Sequence, residues 1–122
     1  MKLHLTTSDT HHLITAYGDG FVQVGQKRYE QNLVVTPAEL ILDWHQGNFS
    51  ELDYVHFEKL RLLNPEVVLL GTGSTHCFLH PKQYAHLTEH QISIECMTTV
   101  AACRTYNILM SEGRKVVAAL IL

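Results

Sequence analysis

Hydrophobic and polar residues alternate in short runs along the first half of the chain, and glycines separate the runs. Alternation with a period of two is typical of strands with one buried face, and the turn Gly18-Asp19-Gly20 fits a tight reversal between two of them. A second turn begins at Gly25, and Pro37 ends the last clear run. The predicted strands occupy residues 12–17, 21–24, 27–29 and 32–36, and the type of the apolar run 40–44 stays open.

In the second half, apolar residues recur every three or four positions, which predicts helices. A serine can cap the free N–H groups of a first turn, a proline lacks the N–H that would be unpaired there, and glycine suits a left-handed C-terminal cap. These signals place the helix starts near Ser50, Pro81 and Thr98 or Thr99, and the ends of the first and third helices at Pro65 and Gly113.

Three predicted strands, at 67–70, 92–95 and 115–122, alternate with these helices. Such alternation predicts an α/β fold in which helices cover a sheet. The nearly continuous apolar composition of the first and last runs indicates strands that are buried on both faces. At 122 residues, the chain has the size of one domain, so we expect a single domain over residues 1–122.

Composition narrows the class of protein. Hydrophobic residues make up 46% and charged residues 17%, which is typical of a compact protein and not of a disordered one. The net charge is −3 and the basic residues are scattered, so we expect no nucleic-acid partner. The apolar run 116–122 is far shorter than the roughly 20 residues that span a bilayer, so we expect no membrane insertion.

The N-terminus and the cysteines suggest a compartment. Residues 1–10 contain neither an apolar core like that of a secretory signal nor the arginines of a transit peptide. The cysteines Cys77, Cys96 and Cys103 form no C-x-x-C pair and are odd in number, which suits a reducing environment. A cytoplasmic location is therefore expected.

Two segments together resemble a known family. They are Gly71-Thr72-Gly73, which follows the apolar run 67–70, and residues 95–122, which include Arg104-Thr105-Tyr106-Asn107. They are similar to a small α/β family of unknown molecular activity, with a Mth-type domain, that includes a mitochondrial respiratory complex I assembly factor. The resemblance extends from about residue 14 to residue 122. It implies a three-layer fold with a mixed central sheet, helices and an additional N-terminal β layer.

A candidate ligand site combines the glycine loop with the start of the third helix. Gly71 and Gly73 follow one buried strand, and Thr98 and Thr99 follow another, where α/β proteins place ligand loops. Backbone N–H groups from both would form an electropositive notch for a small anion, with Arg104 nearby. The competing interpretation is that the glycines only permit a tight turn, because the third glycine of G-x-G-x-x-G is missing.

Polar residues on the third helix have two interpretations. Arg104, Asn107 and Ser111 cluster on a helical wheel, which is typical of a solvated face. The family resemblance suggests instead a fixed polar network that includes Asn107 as a further ligand-binding residue. Glu112 falls within the apolar arc, so we expect it to be partly buried and paired with Arg114 or Arg104.

Metal and nucleophile hypotheses are weaker. His86 and His90 have i, i+4 spacing and could chelate zinc, but Lys82 shares their face and no second ligand pair has suitable spacing. His76 and His80 could also bind a metal ion, but they too lack a second ligand pair with suitable spacing. No metal and no cofactor are therefore predicted. Cys103 lies at the edge of the apolar arc, which indicates a buried thiol and not a nucleophile.

Two functions of different class remain. The first is a non-enzymatic module that acts through protein partners, in the assembly of a respiratory complex as the resemblance implies. The second is a binding protein or enzyme for a small anionic ligand at the glycine loop and the third helix. No catalytic constellation is recognised, so the sequence leaves open whether the protein is an enzyme, and it identifies neither partner nor oligomeric state.

Overall fold

A five-stranded mixed sheet forms the centre of the fold in the computed structural model, which describes residues 11–122. Residues 1–10, whose composition predicted no leader, lie outside the described residues. A separate three-stranded antiparallel sheet, ordered β1-β2-β3, precedes the central sheet in the chain. The strands are β1 Ile14–Gly18, β2 Phe21–Val24, β3 Lys27–Tyr29, β4 Leu33–Val35, β5 Leu40–Ile41, β6 Val67–Gly71, β7 Ser93–Met97 and β8 Val116–Leu120.

The central sheet has the order β5-β4-β8-β6-β7. The strand β6 pairs in parallel with both β7 and β8, so that Val67 lies opposite Ser93 on one side and Val116 on the other. The strand β8 pairs antiparallel with β4, and β4 with β5. The three apolar runs of the second half therefore share one sheet, and the apolar run at 40–44, whose type was open, begins with a two-residue strand.

Both faces of the central sheet are buried, as the apolar composition of its strands predicted. Leu69 and Ala118 point to one face and pack with Tyr106 of the third helix, together with Val22 of the small sheet. The neighbouring strand residues point to the other face and pack with residues of the first two helices; they include Val68, Leu70, Val117 and Ala119. The molecule thus has three layers, and the predicted α/β architecture with an N-terminal β layer is confirmed.

The helices are α1 Tyr54–Arg61, α2 Pro81–Glu89 and α3 Thr99–Ser111. Thr98 caps α3 and Gly113 follows its end with a φ of +80°, as predicted. The prediction for α1 was one turn early, because Asp53 and not Ser50 is its cap. Ser50 lies in a short 3-10 turn, Phe49–Glu51, where Glu51 accepts a hydrogen bond from the Asn48 N–H. Within residues 11–122, no helix has the length and apolarity needed to cross a membrane.

Side chains of α3 hold the small sheet against the core. Asn107 Oδ1 accepts the Ile14 N–H at 3.0 Å, and Asn107 Nδ2 donates to the Ile14 carbonyl at 2.7 Å. The buried Tyr106 donates its hydroxyl to the His12 carbonyl at 2.6 Å. A side-chain amide thus pairs with the β1 backbone as a neighbouring strand would, since it offers one donor and one acceptor.

This clamp leads to a stability prediction. Asn107→Ala leaves both polar groups of Ile14 without their partner, and an unpaired buried group costs about 1–3 kcal/mol. The free energy of unfolding, measured by urea denaturation, should fall by at least that amount. Ser111→Ala is the matched control on the same helix, because its exposed hydroxyl donates to the Ile108 carbonyl of its own helix, and it should change stability by less than about 0.5 kcal/mol. Equal losses in the two variants would contradict the clamp.

Candidate functional site

The glycine loop after β6 and the start of α3 lie in direct contact. The Gly73 N–H donates to Thr99 Oγ1 at 2.8 Å, and the Thr99 N–H donates to the Gly73 carbonyl at 2.9 Å. The Thr72 N–H also donates to the Met97 carbonyl at 2.9 Å. The two loops that were predicted to meet therefore do so, because β6 and β7 are parallel neighbours whose carboxyl ends lie side by side.

Thr99 is the centre of this contact. Its hydroxyl accepts from Gly73 and donates to the carbonyl of Ile121, beyond β8, at 2.6 Å, and the residue is buried. The Ile121 N–H in turn donates to the Gly71 carbonyl at 2.9 Å. One side chain thus connects the ends of β6 and β8 to the first turn of α3.

Close packing explains Gly71, and backbone conformation explains Gly73. A Cβ on Gly71 would lie 2.9 Å from Thr99 Oγ1, which is closer than Cβ atoms come to other groups, and 3.0 Å from Thr99 Cα, which is tighter than most Cβ contacts. Gly73 has a φ of +97°, a conformation that glycine adopts without strain. Both glycines therefore have a structural reason to be where they are, although only Gly73 adopts a turn conformation that favours glycine.

The predicted notch is short of free donors. The N–H groups of Gly73 and Thr99 are bonded within the protein, and Thr98 Oγ1 lies 3.4 Å from the Ala101 N–H that it caps. An anion at this point would have to compete with those bonds. Ligand binding by Gly71, Gly73, Thr98 and Thr99 stays a prediction.

The remaining predicted ligand residues lie further along α3. Arg104 is exposed. Asn107 follows Thr99 by eight residues, which at a rise of about 1.5 Å per residue places it about 12 Å further along the helix axis. Its amide is bonded to Ile14. The structure thus brings the two loops together but assigns Asn107 to the clamp on the β layer.

The prediction that Glu112 is partly buried is wrong. Glu112 is exposed, because it follows the last residue of α3, after which the chain reverses at Gly113. A helical wheel assigns a face to Glu112 but does not show that the packed part of the helix has already ended.

Arg114 pairs with Glu66, which the sequence analysis missed. Arg114 Nε donates to Glu66 Oε1 at 2.7 Å, and this bond lowers the pKa of the Glu66 carboxyl. Glu66 immediately precedes β6 and Arg114 lies two residues before β8, so the parallel pairing of these two strands brings the side chains together. Only the strand pairing, which the sequence did not specify, could have revealed the ion pair.

Cys103 is buried, as predicted. Desolvation raises the pKa of its thiol to about 12, so the thiol stays protonated at neutral pH. A protonated thiol is a poor nucleophile. The structure therefore places Cys103 in the core between α3 and the sheet.

The i, i+4 histidines of α2 lie close together, with His86 and His90 ring centroids 4.7 Å apart. His86 Nε2 contacts the Glu58 carboxylate. Arg61 binds that carboxylate through two nitrogens and, with His86, lowers the pKa of Glu58 to about 2. Within the described range 11–122, no three His, Cys, Asp or Glu residues are grouped as a metal ion would require.

A second histidine pair joins α1 to the segment before it. His45 Nε2 lies 2.7 Å from the Asn48 carbonyl and must donate to it, so His45 Nδ1 accepts from His56 Nε2 at 3.1 Å. His56 Nδ1 in turn accepts the Asp53 N–H at 2.9 Å. Every ring nitrogen of the pair then has a role that two neutral imidazoles satisfy. The residues are far enough apart in the sequence that no spacing signal indicated this pair.

Comparison with known proteins places these features in a family. The sequence profile described as "Protein of unknown function (DUF498/DUF598)" matches residues 14–121. The chain belongs to the DUF498 family. The resemblance carried by the glycine loop and α3 is thereby confirmed.

Solved structures of similar proteins share this fold. A crystal structure of a Bordetella parapertussis protein superposes with a TM-score of 0.86 at 37% identity, covering 92% of this chain and 96% of that one. A solution structure from Bordetella pertussis, described as a Mth938-like domain, gives a TM-score of 0.81 at 30% identity, covering 95% and 87%.

One named relative of the DUF498 chain comes from Danio rerio. It is called NADH dehydrogenase [ubiquinone] 1 alpha subcomplex assembly factor 3 and is 36% identical over 104 residues. The match covers 84% of this chain and 59% of the relative. The chain thus spans less than two thirds of that relative's length.

The Thr99 hydroxyl offers the first prediction from this site. Thr99→Val keeps the shape of the side chain but leaves the Gly73 N–H and the Ile121 carbonyl unpaired. The free energy of unfolding should therefore fall by at least about 2 kcal/mol. Thr99→Ser is the matched control because it retains the hydroxyl, and it should recover most of the loss. Thermal or urea unfolding measures both variants. If valine were tolerated as well as serine, the hydroxyl would not connect the three segments.

The histidine pair offers a second prediction, on pH dependence. Burial, followed by repulsion from His45, lowers the pKa of His56 below its ordinary value of 6.5. The unfolded chain then binds more protons than the folded one, so stability is full above about pH 6.5 and declines as the pH falls through the folded pKa. NMR titration of the His56 ring should give a midpoint below 6.5. His56→Gln should reduce the slope of stability against pH, whereas a folded midpoint above 6.5 would contradict the neutral pair.

Proposed function

We propose that this protein is a non-enzymatic module that acts through protein partners and assists the assembly of a respiratory complex. The observation that carries the proposal is the 36% identity to the Danio rerio assembly factor, which extends over 84% of this chain. Because that relative is longer, the proposal concerns the part that the two proteins have in common. The partner is not identified by this likeness.

The burial of two candidate nucleophiles, the Thr99 hydroxyl and the Cys103 thiol, supports a non-enzymatic module over an enzyme. Thr99 is buried with its hydroxyl bonded on both sides, and Cys103 is buried with a raised pKa. A catalytic nucleophile needs access to its substrate and an activating neighbour. Neither residue combines these properties.

The surface supports protein partners. Several large apolar side chains are exposed, and Phe78, in the loop before α2, is 80% exposed. Aromatic residues are enriched where proteins bind one another, because they bury much area at little cost in side-chain entropy. Phe78 is therefore the first residue to examine at an interface.

The anion site stays a prediction beside this proposal. Titrating sulfate and phosphate while recording amide shifts would test it, with Arg104→Ala as the variant that should weaken binding. Shifts confined to residues 71–74 and 98–104 would support a ligand site there. Saturating anion without localised shifts would leave the glycines as turn formers.

The cytoplasm is the location that we propose. Its support is the state of the cysteines, since Cys77, Cys96 and Cys103 are all free thiols, as is usual in a reducing compartment. Fractionation of cells that express the whole protein, followed by immunoblotting, would test this. Recovery in the membrane fraction would contradict it.

The assembly function is tested in the organism that encodes the protein. Deleting the gene should lower the amount of fully assembled NADH dehydrogenase on native gels, together with NADH-dependent quinone reduction. Restoring the wild-type gene should restore both. A deletion strain with normal amounts of assembled enzyme and normal activity would overturn the proposal.

A further inference from the structure

The sheets of the described chain differ in how their edges are protected. At one edge of the central sheet, β5 has only two residues and offers little backbone for pairing. In the small sheet, the Asn107 amide occupies the backbone groups of Ile14 in β1. At the other edge of the central sheet, β7 pairs only with β6 along its five residues. An unpaired edge of this length is a template for a further strand.

The hydrogen-bond pattern shows which groups of β7 face outward. The Ser93 N–H donates to Glu66 at 3.2 Å, and the Met97 carbonyl accepts from Thr72 at 2.9 Å. Backbone groups alternate in direction along a strand, so Ser93, Glu95 and Met97 face β6. The N–H and carbonyl groups of Ile94 and Cys96 therefore face away from the sheet. Two donors and two acceptors are available at this edge.

Side chains along the edge are mixed in character. Glu95 and Ser93 are exposed, whereas Ile94 and Cys96 are half-buried and pack on the face that α1 and α2 cover. The Cys96 thiol lies against the backbone of Leu79, which immediately follows the exposed Phe78. The edge thus combines free backbone groups, one carboxylate and a neighbouring exposed aromatic ring.

We propose that the β7 edge binds an extended segment of a partner protein, which adds as a sixth, antiparallel strand with a lysine or arginine opposite Glu95. This inference rests on the proposed function, because it names the surface through which the module would act. Main-chain bonds to Ile94 and Cys96 supply the affinity in such strand addition, and side-chain contacts supply the selectivity.

Charge determines which kind of strand fits. In the antiparallel arrangement, Ile94 and Cys96 form the hydrogen-bonded pairs and Glu95 takes the position between them, where facing side chains come closest. A basic residue opposite Glu95 is attracted, and an acidic one is repelled. A second copy of this chain, paired along all five residues of β7, would place Glu95 opposite its own counterpart. A basic partner segment is therefore favoured over self-association.

The test uses two blocked peptides, Thr-Val-Lys-Val-Thr and Thr-Val-Glu-Val-Thr. Both are palindromic, so the charged residue is central in the antiparallel arrangement. Titration into the full chain should shift the Ile94 and Cys96 amides and slow their hydrogen exchange. The lysine peptide should bind about five-fold more tightly than the glutamate peptide, because opposite-charge pairs across strands contribute about 0.2–1 kcal/mol and like charges oppose pairing.

Two variants sharpen the result. Glu95→Lys should reverse the preference between the peptides, whereas Glu89→Lys, a matched change at an exposed residue at the end of α2, should leave it unchanged. The proposal is overturned if millimolar peptide leaves the two amides unaffected, or if both peptides bind equally. Dimerisation of the protein through β7 would overturn it in favour of a second copy.

The outcome is separable from that of the gene deletion. A deletion strain that lacks assembled NADH dehydrogenase, combined with no peptide binding at β7, would reject this surface and keep the assembly function. If the peptides bind selectively but deletion of the gene has no effect, the β7 surface is kept and the assembly function is rejected.

Discussion

The structure depends on the buried hydroxyl of Thr99, which both accepts and donates a hydrogen bond across the carboxyl ends of the central strands. This bond fixes where α3 begins relative to β6 and β8. The position of α3 in turn determines where Asn107 and Tyr106 meet the N-terminal layer. A polar contact between two loops thereby positions α3 and the N-terminal layer relative to the central sheet. Hydrophobic burial supplies most of the stabilisation, but it is not directional, so such bonds select one arrangement.

Helix boundaries and buried strands could be predicted well from the sequence, because they depend on neighbouring residues. Thr98 and Gly113 were recognised as the boundaries of α3 because a cap depends on the few residues around it. The continuous apolar runs identified β6 and β8 as strands with two buried faces. The signal for α1 was less specific, because a serine and an aspartate three residues apart each fit a capping position, and the structure uses Asp53.

Contacts between residues that are distant in the sequence could not be predicted in the same way. The ion pair between Glu66 and Arg114 requires knowing that β6 and β8 are parallel neighbours. The wheel placed Glu112 beside the core although α3 had already ended. Asn107 was grouped with solvated residues because the wheel cannot show that β1 lies beside it. For the candidate site, the contact between the two loops could be predicted from strand adjacency. The sequence did not show that the N–H groups of Gly73 and Thr99 are already hydrogen-bonded within the protein.

The contact between Asn107 and Ile14 joins residues that are 93 positions apart, and β4 pairs with β8 across a similar distance. A ribosome adds about 5–20 residues per second, so Ile14 waits roughly 5–20 s after its synthesis before Asn107 has been added. During that interval β1 lacks its clamp and β4 lacks its sheet partner β8. The amino-terminal half is therefore completed only after translation has reached the last strand, and nascent chains of this protein expose apolar strand edges until then.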